Sequence, residues 1–374
     1  MEVLYLEHLE IKGFRNYRQG SVSLGPGVSI IVGRNGAGKT SLLEAAQYSI
    51  CGKSFRTSRD AEMVREGSGF LRVSAAIETG GVKRSRLVSL QPGQPATVDQ
   101  GGGPRWEQAG SVLCFSPDDL QLVKGAPAER RRFVDEAVSR RRPAYQKLAG
   151  DYQKVLSQRN RFLQRARAGI VRLADISPWD RQLMSLAFQI HDEREEYCRT
   201  LSPAFAEAYD RISGGSGSAE AVYRSQLQAH AGEEDREAAA VRELEQQWGG
   251  DLERGATSIG THRDDIEFRV GGKNMRVFGS QGEQRSTVLA LLLAEAVTES
   301  PGGERPLLLL DDVLSELDPD RRGRLLGALG NGFRSQVIIT AADYNLIPVG
   351  GCEAAVVLEI GQDGLIRAAE AGDV

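Results

Sequence analysis

A glycine-rich octapeptide places the strongest constraint on what this chain can fold into. Residues 33–40 read Gly-Arg-Asn-Gly-Ala-Gly-Lys-Thr and match the spacing G-x-x-x-x-G-K-[ST]. An apolar run at 28–32 predicts a short buried strand before them, and a helical pattern follows from Lys39 to about Ile50. A strand, a glycine loop and a helix in this order bind phosphate, because the N–H groups of the loop and the helix N-terminus attract phosphate oxygens.

The motif gives each residue of this loop a role in a nucleotide site. Lys39 would neutralise charge on the β- and γ-phosphates, and the Thr40 hydroxyl would be a ligand of Mg²⁺. The sequence therefore predicts ATP and Mg²⁺ as cofactors. The predicted ATP contacts of the loop are Gly33, Arg34, Asn35, Gly36, Ala37, Gly38, Lys39 and Thr40.

A second acidic element completes the predicted site. Four consecutive leucines at 307–310 predict a strand that is buried on both faces, which is typical of the centre of a parallel sheet. Such a strand delivers the residues after it to the edge of the sheet where the phosphate loop lies. We therefore expect Asp311 to hold Mg²⁺ and Asp312 to position the attacking water. Lys39, Asp311 and Asp312 are the predicted catalytic residues.

The middle of the chain changes from strand-like to helical patterns. Apolar residues recur at helical spacing from Tyr145 to Leu163 and from Leu183 to Leu201, which predicts an antiparallel helical hairpin. An acidic helix is predicted at 233–254, and strands return at 266–270 and at Met275–Phe278.

These patterns predict an α/β fold, a phosphate-loop ATPase head with an inserted α-helical lobe that contains the hairpin. The predicted parts are an N-terminal ATPase part at 1–112, the inserted lobe at 113–264 and a C-terminal ATPase part at 265–374.

Charge is distributed unevenly along the chain. The whole sequence has a net charge of −4, yet residues 121–170 hold thirteen basic and four acidic residues. Such a segment indicates a polyanion such as DNA as a partner, and internal ion pairing of the same arginines is the alternative. The predicted DNA contacts are Arg130, Arg131, Arg132, Arg140, Arg141 and Arg142.

Composition excludes other classes of protein. No apolar run approaches the ~20 residues that span a bilayer. The four cysteines are far apart in the sequence, which argues against a zinc site and against a disulfide framework. The acidic N-terminus predicts no secretion signal.

Two further motifs resemble those of ABC-type ATPases. Gly279-Ser280-Gln281-Gly282-Glu283-Gln284-Arg285 is similar to the ABC signature, and Ser315-Glu316-Leu317-Asp318 resembles the loop that follows the acidic strand in the same class. The resemblance implies a site completed by two subunits, because the signature of one subunit binds the γ-phosphate held by the other. The implied contacts in trans are Ser280, Gln281, Gly282 and Glu283.

Over nearly the whole chain the sequence resembles the RecF family of bacterial recombination mediators. Motifs at 9–17, 115–127, 260–265 and 310–318 carry this resemblance. It implies a cytoplasmic protein without a membrane role that binds DNA as an ATP-dependent homodimer. It also implies partners of the RecR and RecO type and recombinase loading at single-strand gaps, in repair, replication restart and the SOS response. Arg15 and Asn16 would lie near the nucleotide.

The chain departs from the usual ABC pattern at two places. Gln281 replaces the first glycine of the signature pair, and Thr340 or Asp343 stands where a switch histidine is expected. Because Asp312 also stands where such ATPases usually have Glu, we expect a weak, DNA-stimulated ATPase that acts as a switch. A transporter ATPase and an SMC-like structural clamp are the alternative functions. The sequence assigns no role to His262 and Arg263.

Overall fold

The structure is a computed structural model. It describes residues 4–99, 111–215, 217–230, 235–298, 305–330, 333–348, 355–361 and 366–368.

The chain divides into two compact units. The first unit comprises Met1–Asp119, Glu207–Ser216 and Gln281–Val374, and the second comprises Leu120–Ala206 and Gly217–Ser280.

In its described residues, the first unit contains two sheets and three α-helices, together with the end of a fourth helix. Its strands are β1 (Leu4–Phe14), β2 (Tyr17–Ser23), β3 (Val28–Val32), β4 (Leu71–Thr79), β5 (Val82–Leu90), β6 (Thr97–Asp99), β7 (Val112–Phe115), β11 (Leu307–Leu310), β12 (Val337–Ala341), β13 (Val356–Ile360) and β14 (Ile366–Ala368). Its helices are α1 (Lys39–Cys51), α9 (Gln281–Val297) and α10 (Pro319–Gly330).

A six-stranded sheet carries the residues of the predicted site. Its order is β14-β13-β3-β12-β11-β7, and all neighbours are parallel except β13 and β14. The side chains of β3, β11 and β12 are buried on both faces of the sheet. This explains why these strands are unbroken apolar runs, and it brings their carboxyl ends to one edge.

A five-stranded antiparallel sheet packs with the first through a shared core. Its order is β2-β1-β4-β5-β6, and its inward residues alternate with outward ones along β1 and β4. The buried Gln336 amide links this sheet to the other, since it donates to Leu6 O (3.0 Å) and Gly25 O (2.7 Å) and accepts from Leu6 N (2.8 Å). One polar side chain therefore satisfies backbone groups from two other segments.

The second unit is mainly helical. Its helices are α2 (Gln121–Lys124), α3 (Pro127–Arg141), α4 (Pro143–Arg167), α5 (Ser177–Ser213, of which the last seven residues belong to the first unit), α6 (Arg236–Gln246), α7 (Trp248–Arg254) and α8 (Met275–Phe278). Its strands β8 (Ala219–Arg224), β9 (Asp265–Val270) and β10 (Lys273–Asn274) form an antiparallel sheet.

The predicted helical hairpin is confirmed in α4 and α5. Their rings meet near the connection, where Phe162 and Trp179 lie 4.9 Å apart between centroids. At the other end, Arg142, just before α4, forms an ion pair with Glu193 of α5. Contacts at both ends require the two helices to run antiparallel.

Several sequence predictions differ from the structure. Met275–Phe278 forms a helical turn rather than a strand, because Asn274 caps it by accepting from Arg276 N at 2.9 Å. The acidic helix predicted at 233–254 is two helices, α6 and α7, and residues 233–234 lie outside the described residues.

The predicted boundaries of the inserted lobe also differ from those of the second unit. Strand β7 begins at Val112 and pairs with β11, so residues 113–119 belong to the first unit. Strand β9 pairs with β8, so residues 265–280 belong to the second unit rather than to the C-terminal ATPase part. A sequence pattern identifies a strand without identifying the strand beside it, which explains both differences.

A buried arginine links three segments of the second unit. The Arg159 side chain of α4 is fully buried and donates to Asp180 (2.6 Å) and to Asp251 (2.8 Å). It also donates to the Thr257 hydroxyl at 2.9 Å. Removing the cation would leave two buried carboxylates without it, and a broken buried pair costs about 3–5 kcal/mol.

We therefore expect Arg159→Met to lower the free energy of unfolding of the second unit by about 3–5 kcal/mol. Urea unfolding followed by tryptophan fluorescence measures this change, because Trp179 and Trp248 lie beside the pair. The exposed Arg161 on the same helix is the matched control, and Arg161→Met should change the free energy by less than ~0.5 kcal/mol. Equal effects of the two substitutions would contradict this role for Arg159.

Candidate nucleotide-binding site

The predicted phosphate loop has the backbone that its glycines allow. It leaves β3 at Gly33, whose N–H donates to Ala341 O of β12 at 3.2 Å, and α1 begins at Lys39. Gly36 (φ 84°) and Gly38 (φ 110°) have positive φ, which other residues rarely adopt. A Cβ at Gly38 would lie 2.8 Å from the Tyr17 ring, so this position also requires glycine for space.

Lys39 lies folded back onto the loop. Its ammonium donates to Gly33 O (2.6 Å) and Arg34 O (3.2 Å). Burial lowers the pKa of Lys39, and the nearby Asp312 and Asp311 carboxylates oppose this shift. The amine is therefore a buried cation held by two carbonyl oxygens. Phosphate oxygens of a bound nucleotide could replace these carbonyls as its partners.

Asp311 is joined to the phosphate loop by a direct hydrogen bond. The Thr40 hydroxyl donates to its Oδ2 at 2.7 Å, and the Thr340 hydroxyl donates to its Oδ1 at 2.7 Å. Asp311 is itself buried, and its N–H donates to Phe115 O at 2.8 Å. The structure thus brings together Lys39, Thr40 and Asp311 as the spacing predicted.

Asp312 lies beside this group with an unusual backbone. Its φ is 49°, in the left-handed region, and its N–H donates to the Thr340 hydroxyl at 2.8 Å. Burial raises the pKa of Asp312, and the nearby Asp311 and Glu316 add to this effect, while Ser315 and Lys39 oppose it. A non-glycine residue in this region costs about 1–3 kcal/mol, and such strain concentrates at functional sites.

Two cavities open on either side of the loop. One of about 730 Å³ contains the predicted phosphate and metal groups, including Lys39, Thr40, Asp311 and Asp312. The other, of about 610 Å³, is lined by Tyr17, Arg18, Arg34, Arg65 and Glu359 among others. Asn16 lines both cavities and donates to Gly36 O at 3.4 Å. A nucleotide could place its phosphates in the first cavity and its base and ribose in the second.

Arg15 enters the first cavity from the turn between β1 and β2, again with a positive φ of 50°. Its guanidinium forms two hydrogen bonds with the Glu44 carboxylate, at 2.8 and 2.6 Å. These hydrogen bonds raise the pKa of Arg15. The ion pair with Glu44 of α1 therefore holds the Arg15 side chain at the wall of the cavity that contains the phosphate loop.

Glu44 and Arg56 belong to this site although the sequence analysis missed them. The Glu44 side chain is fully buried, and it accepts from Ser54 Oγ at 2.5 Å and from Arg56 Nη1 at 3.3 Å. Arg56 lines the first cavity. The available signal was a single acid at 44 inside an otherwise apolar helix face, four residues after Thr40.

The side chains of Thr40, at the start of α1, and Asp311, just after β11, fit Mg²⁺. Magnesium binds hard oxygen ligands, usually one or two protein groups together with substrate phosphates and waters. The Thr40 hydroxyl and the Asp311 carboxylate supply two such oxygens 2.7 Å apart at the wall of the first cavity.

The signature residues lie at the start of α9. Gln281 is exposed, and Gln281, Gly282 and Glu283 line neither of the two cavities. Gly282 faces Arg321, whose guanidinium a Cβ at this position would overlap. The signature residues of the first unit are therefore not brought to the phosphate loop of their own chain.

The helix that follows the signature is tied to the segment after the acidic strand. Arg285 donates to Glu316 O at 3.0 Å and forms an ion pair with the Glu316 carboxylate. Arg321 pairs with Asp318 at 3.3 Å. The two motifs that resembled those of ABC ATPases therefore form one connected surface.

Two of the predicted DNA contacts have partners inside the second unit, as the alternative of internal ion pairing predicts. Arg130 is 2% exposed and forms a bidentate ion pair with Asp265, at 2.7 and 3.0 Å. Arg131 is half-buried and donates to Asp264 O at 2.7 Å. Both guanidinium groups have their partners inside the second unit. Asp264 and Asp265 are more than 130 residues away from these arginines in the sequence but lie beside them in the structure.

The other four predicted DNA contacts lie nearer the surface. Arg132 and Arg142 are exposed and pair with Glu129 and Glu193. Arg140 and Arg141 are half-buried, and the Arg141 guanidinium lies 4.7 Å from the centre of the Tyr197 ring.

The motif at 260–265, in which the sequence assigned no role to His262 and Arg263, joins several elements of the second unit. The His262 ring bonds Tyr152 Oη (2.8 Å) on one side and Thr257 O (3.1 Å) on the other. Burial lowers the pKa of His262, which favours the neutral ring. The buried Asp264 accepts from Tyr223 and from Arg194 (3.3 Å). These contacts join α4, α5 and β8, so the motif organises packing.

A basic stripe remains on the exposed face of α4. It consists of Lys147, Lys154, Arg161 and Arg165, and we call it the α4 stripe. All four side chains are exposed, and their spacing places them on the face opposite the buried residues of the helix. At 1.5 Å per residue the stripe is about 27 Å long.

Among the described residues, no helix is long and apolar enough to cross a membrane.

Comparison with protein families and relatives agrees with the sequence resemblance. The model of a family described as an AAA domain matches residues 8–214. The DNA replication and repair protein RecF of Heliobacterium modesticaldum is 37% identical over 355 residues, which cover 90% of this chain and 92% of that protein. RecF of Synechococcus sp. is 34% identical over 96% of this chain and 97% of its own length.

Solved structures give the same result for the fold. A structure described as the recombination mediator protein RecF-ATPrS in the RecFOR pathway matches with a TM-score of 0.82 at 25% identity, over 98% of this chain and 99% of that one. An Smc head domain from Pyrococcus furiosus matches with a TM-score of 0.58 at 17% identity, over 98% of this chain and 96% of that one, a likeness of fold alone. The ABC-type ATPase head with a helical insert is thus confirmed, and the chain belongs to the RecF family of DNA replication and repair proteins.

Proposed function

We propose that this chain is an ATP-gated recombination mediator that dimerises on ATP, holds DNA and helps to load recombinase at single-strand gaps. It would act in DNA repair, replication restart and the SOS response. The observation that carries the ATP-dependent part of the proposal is the 2.7 Å hydrogen bond between Thr40 and Asp311, because it joins the phosphate loop and the acidic strand end in one site. The similarity to RecF proteins supports the role in DNA repair.

Different residues of the first cavity would bind different parts of ATP and its metal ion. The N–H groups of the loop and the Lys39 ammonium would bind the phosphates, with Lys39 exchanging its two carbonyl partners for phosphate oxygens. Arg15 and Arg56 add positive charge at the same wall. Thr40 and Asp311 would hold Mg²⁺, which when bound neutralises charge on the β- and γ-phosphates.

Asp312 would position the attacking water. Its carboxyl lines the cavity, but its side chain is one methylene shorter than the glutamate that is usual at this place. We propose slow hydrolysis, stimulated by DNA, that resets the switch rather than supplying rapid turnover.

The signature motif supports dimerisation on ATP. Gln281, Gly282 and Glu283 line neither cavity beside the loop of their own chain. The 17 residues of α9 give its N-terminus a partial positive charge suited to phosphate. Ser280, Gln281, Gly282 and Glu283 of one copy would therefore complete the site of the other. ATP then stabilises the dimer, because the closed pair binds it better than either copy alone.

We propose the α4 stripe as a DNA-contacting surface, in place of the buried Arg130. Four exposed cations on one face present point charges to successive phosphates, with Asp151 as the one acid of α4. Such contacts give affinity without base readout and make binding depend on salt.

The relatives support the proposal on partners. The solved RecF structures are described as belonging to the RecFOR pathway, which supports proteins of the RecR and RecO type as partners of this chain. We propose that it acts in the cytoplasm, on single-stranded, gapped or junction DNA.

ATP should control DNA binding. We expect ATP and Mg²⁺ to tighten binding of a gapped duplex at least about tenfold, equivalent to a coupling of ~1.4 kcal/mol. Fluorescence anisotropy at fixed salt measures this affinity, and Lys39→Met should abolish the ATP effect without changing binding in its absence. Equal affinity with and without ATP would contradict the gated clamp.

The composite site should be recovered by mixing two defective chains. Lys39→Met and Ser280→Arg should each hydrolyse little ATP alone. An equal mixture should recover roughly one quarter of wild-type turnover, since half of randomly formed dimers hold one of each chain with one intact site. Ser280 is exposed, so the larger side chain can be accommodated. Phosphate release measures the recovery, and an inactive mixture would exclude the site in trans.

Removing the α4 stripe should reduce the salt dependence of DNA binding. The slope of log affinity against log salt is negative, and changing Lys147, Lys154, Arg161 and Arg165 to alanine should reduce its magnitude by about 3–4, at about 0.9 per phosphate contact. The matched control changes four other exposed basic residues of the second unit, Lys124, Arg172, Arg181 and Arg199. An equal effect of the control would show that net charge rather than this stripe determines affinity.

A further inference from the structure

We propose that Thr340 is a positioning residue that holds the Asp311 carboxylate and the Asp312 backbone of the ATP site through one hydroxyl group. The inference rests on the proposed function, because it concerns binding of ATP with Mg²⁺. It concerns a residue that would not touch the nucleotide but would determine where two neighbouring groups point.

The hydroxyl of Thr340 is used in both directions. It donates to Asp311 Oδ1 at 2.7 Å and accepts from the N–H of Asp312 at 2.8 Å. A hydroxyl has one donor and two acceptor sites, so a single group can make both bonds. Thr340 is 0% exposed, so a loss of this hydroxyl would leave its partners in a dry environment.

Sheet order explains why this residue reaches both partners. Strand β12 lies between β3, which leads into the phosphate loop, and β11, which ends at Asp311. Thr340 pairs with Ile31 of β3, close to the end of its strand. Its side chain is therefore at the edge where the loop and the acidic residues converge.

The bond to Asp311 determines the orientation of that carboxylate. The terminal torsion of aspartate is broad and has little preference of its own. Thr40 holds Oδ2 and Thr340 holds Oδ1, so the carboxylate plane is fixed from both sides. If the Thr40 hydroxyl turns to a metal, Thr340 is the partner that continues to orient Asp311.

The bond to Asp312 holds a strained backbone. Asp312 has a φ of 49°, and its N–H is fixed by Thr340 while its carbonyl accepts from Ser315 Oγ at 2.8 Å. These two bonds keep the residue in a region that it would otherwise leave. Thr340 thereby also directs the Asp312 side chain into the first cavity.

The geometry distinguishes Thr340 from Asp343, the other candidate for the switch position. The exposed Asp343 carboxylate accepts from Asn345 N at 2.8 Å and so caps its own turn. Thr340 contacts the acidic residues instead. Its role is therefore in orienting the metal-binding side rather than in contacting the γ-phosphate as a switch histidine would.

A pair of substitutions tests the hydroxyl alone. Thr340→Val keeps the shape and removes the group, whereas Thr340→Ser keeps the group and removes a methyl. The readout is the Mg²⁺ concentration that half-saturates the enhancement of binding of a fluorescent N-methylanthraniloyl ATP, with turnover measured in parallel. Affinity for the same probe in EDTA shows whether the loop is folded.

We expect T340V to raise the half-saturating Mg²⁺ concentration by about 10–100-fold, the usual effect of removing a partner of a metal ligand. Turnover at saturating Mg²⁺ should also fall, while the affinity in EDTA stays within about twofold of wild type. T340S should remain within about threefold of wild type in both measurements. If T340V does not fold, T340A carries the same expectation.

Two results would overturn the inference. One is a T340V chain with wild-type dependence on Mg²⁺, and the other is a T340S chain as defective as T340V, which would assign the effect to packing. Wild-type protein that binds the probe equally well with and without Mg²⁺ would instead contradict the proposed function itself.

Discussion

The site depends on one buried carboxylate that is held by hydroxyls from two other segments. Asp311 accepts from Thr40 at the start of α1 and from Thr340 at the end of β12, each at 2.7 Å. Because β3, β12 and β11 are adjacent parallel strands, these three residues meet only if the sheet has this order. The apolar run at 307–310 buries β11 and therefore also places the Asp311 carboxylate in a poorly solvated environment. Hydrogen bonds to this carboxylate are stronger there than they would be in water.

The two strained residues of the first unit both lie at this site. Among the described residues, Arg15 and Asp312 are the non-glycine residues with positive φ, and both line the cavity of the phosphate loop. Each is held by specific bonds, Arg15 by Glu44 and Asp312 by Thr340. Strain of about 1–3 kcal/mol per residue persists only where surrounding contacts determine the backbone. The fold thus stabilises two strained backbone positions, and the Arg15 guanidinium and the Asp312 carboxyl both line the first cavity as a result.

Sequence predicted the parts of this site that are local and missed those that are not. The phosphate loop, β11 and the hairpin follow from spacing and periodicity within a few residues. Glu44 carries no such pattern, because its importance comes from Arg15, 29 residues away. Thr340 was named from the sequence only as a candidate for the switch position, and its bond to Asp311, 29 residues away, was not predicted. The turn at Met275–Phe278 was mistaken for a strand because four residues contain too little periodicity to distinguish the two.

The same limit explains why two predicted DNA contacts, Arg130 and Arg131, have partners inside the second unit. A count of charges along 121–170 treats every arginine as exposed, but Arg130 is neutralised by Asp265 and Arg159 by Asp180 and Asp251, all from outside that segment. The excess of positive charge that reaches solvent is therefore smaller than the count, and part of it is concentrated on the outer face of α4. What a polyanion would meet is determined by which cations the fold leaves exposed, and that selection is made by long-range pairing rather than by local composition.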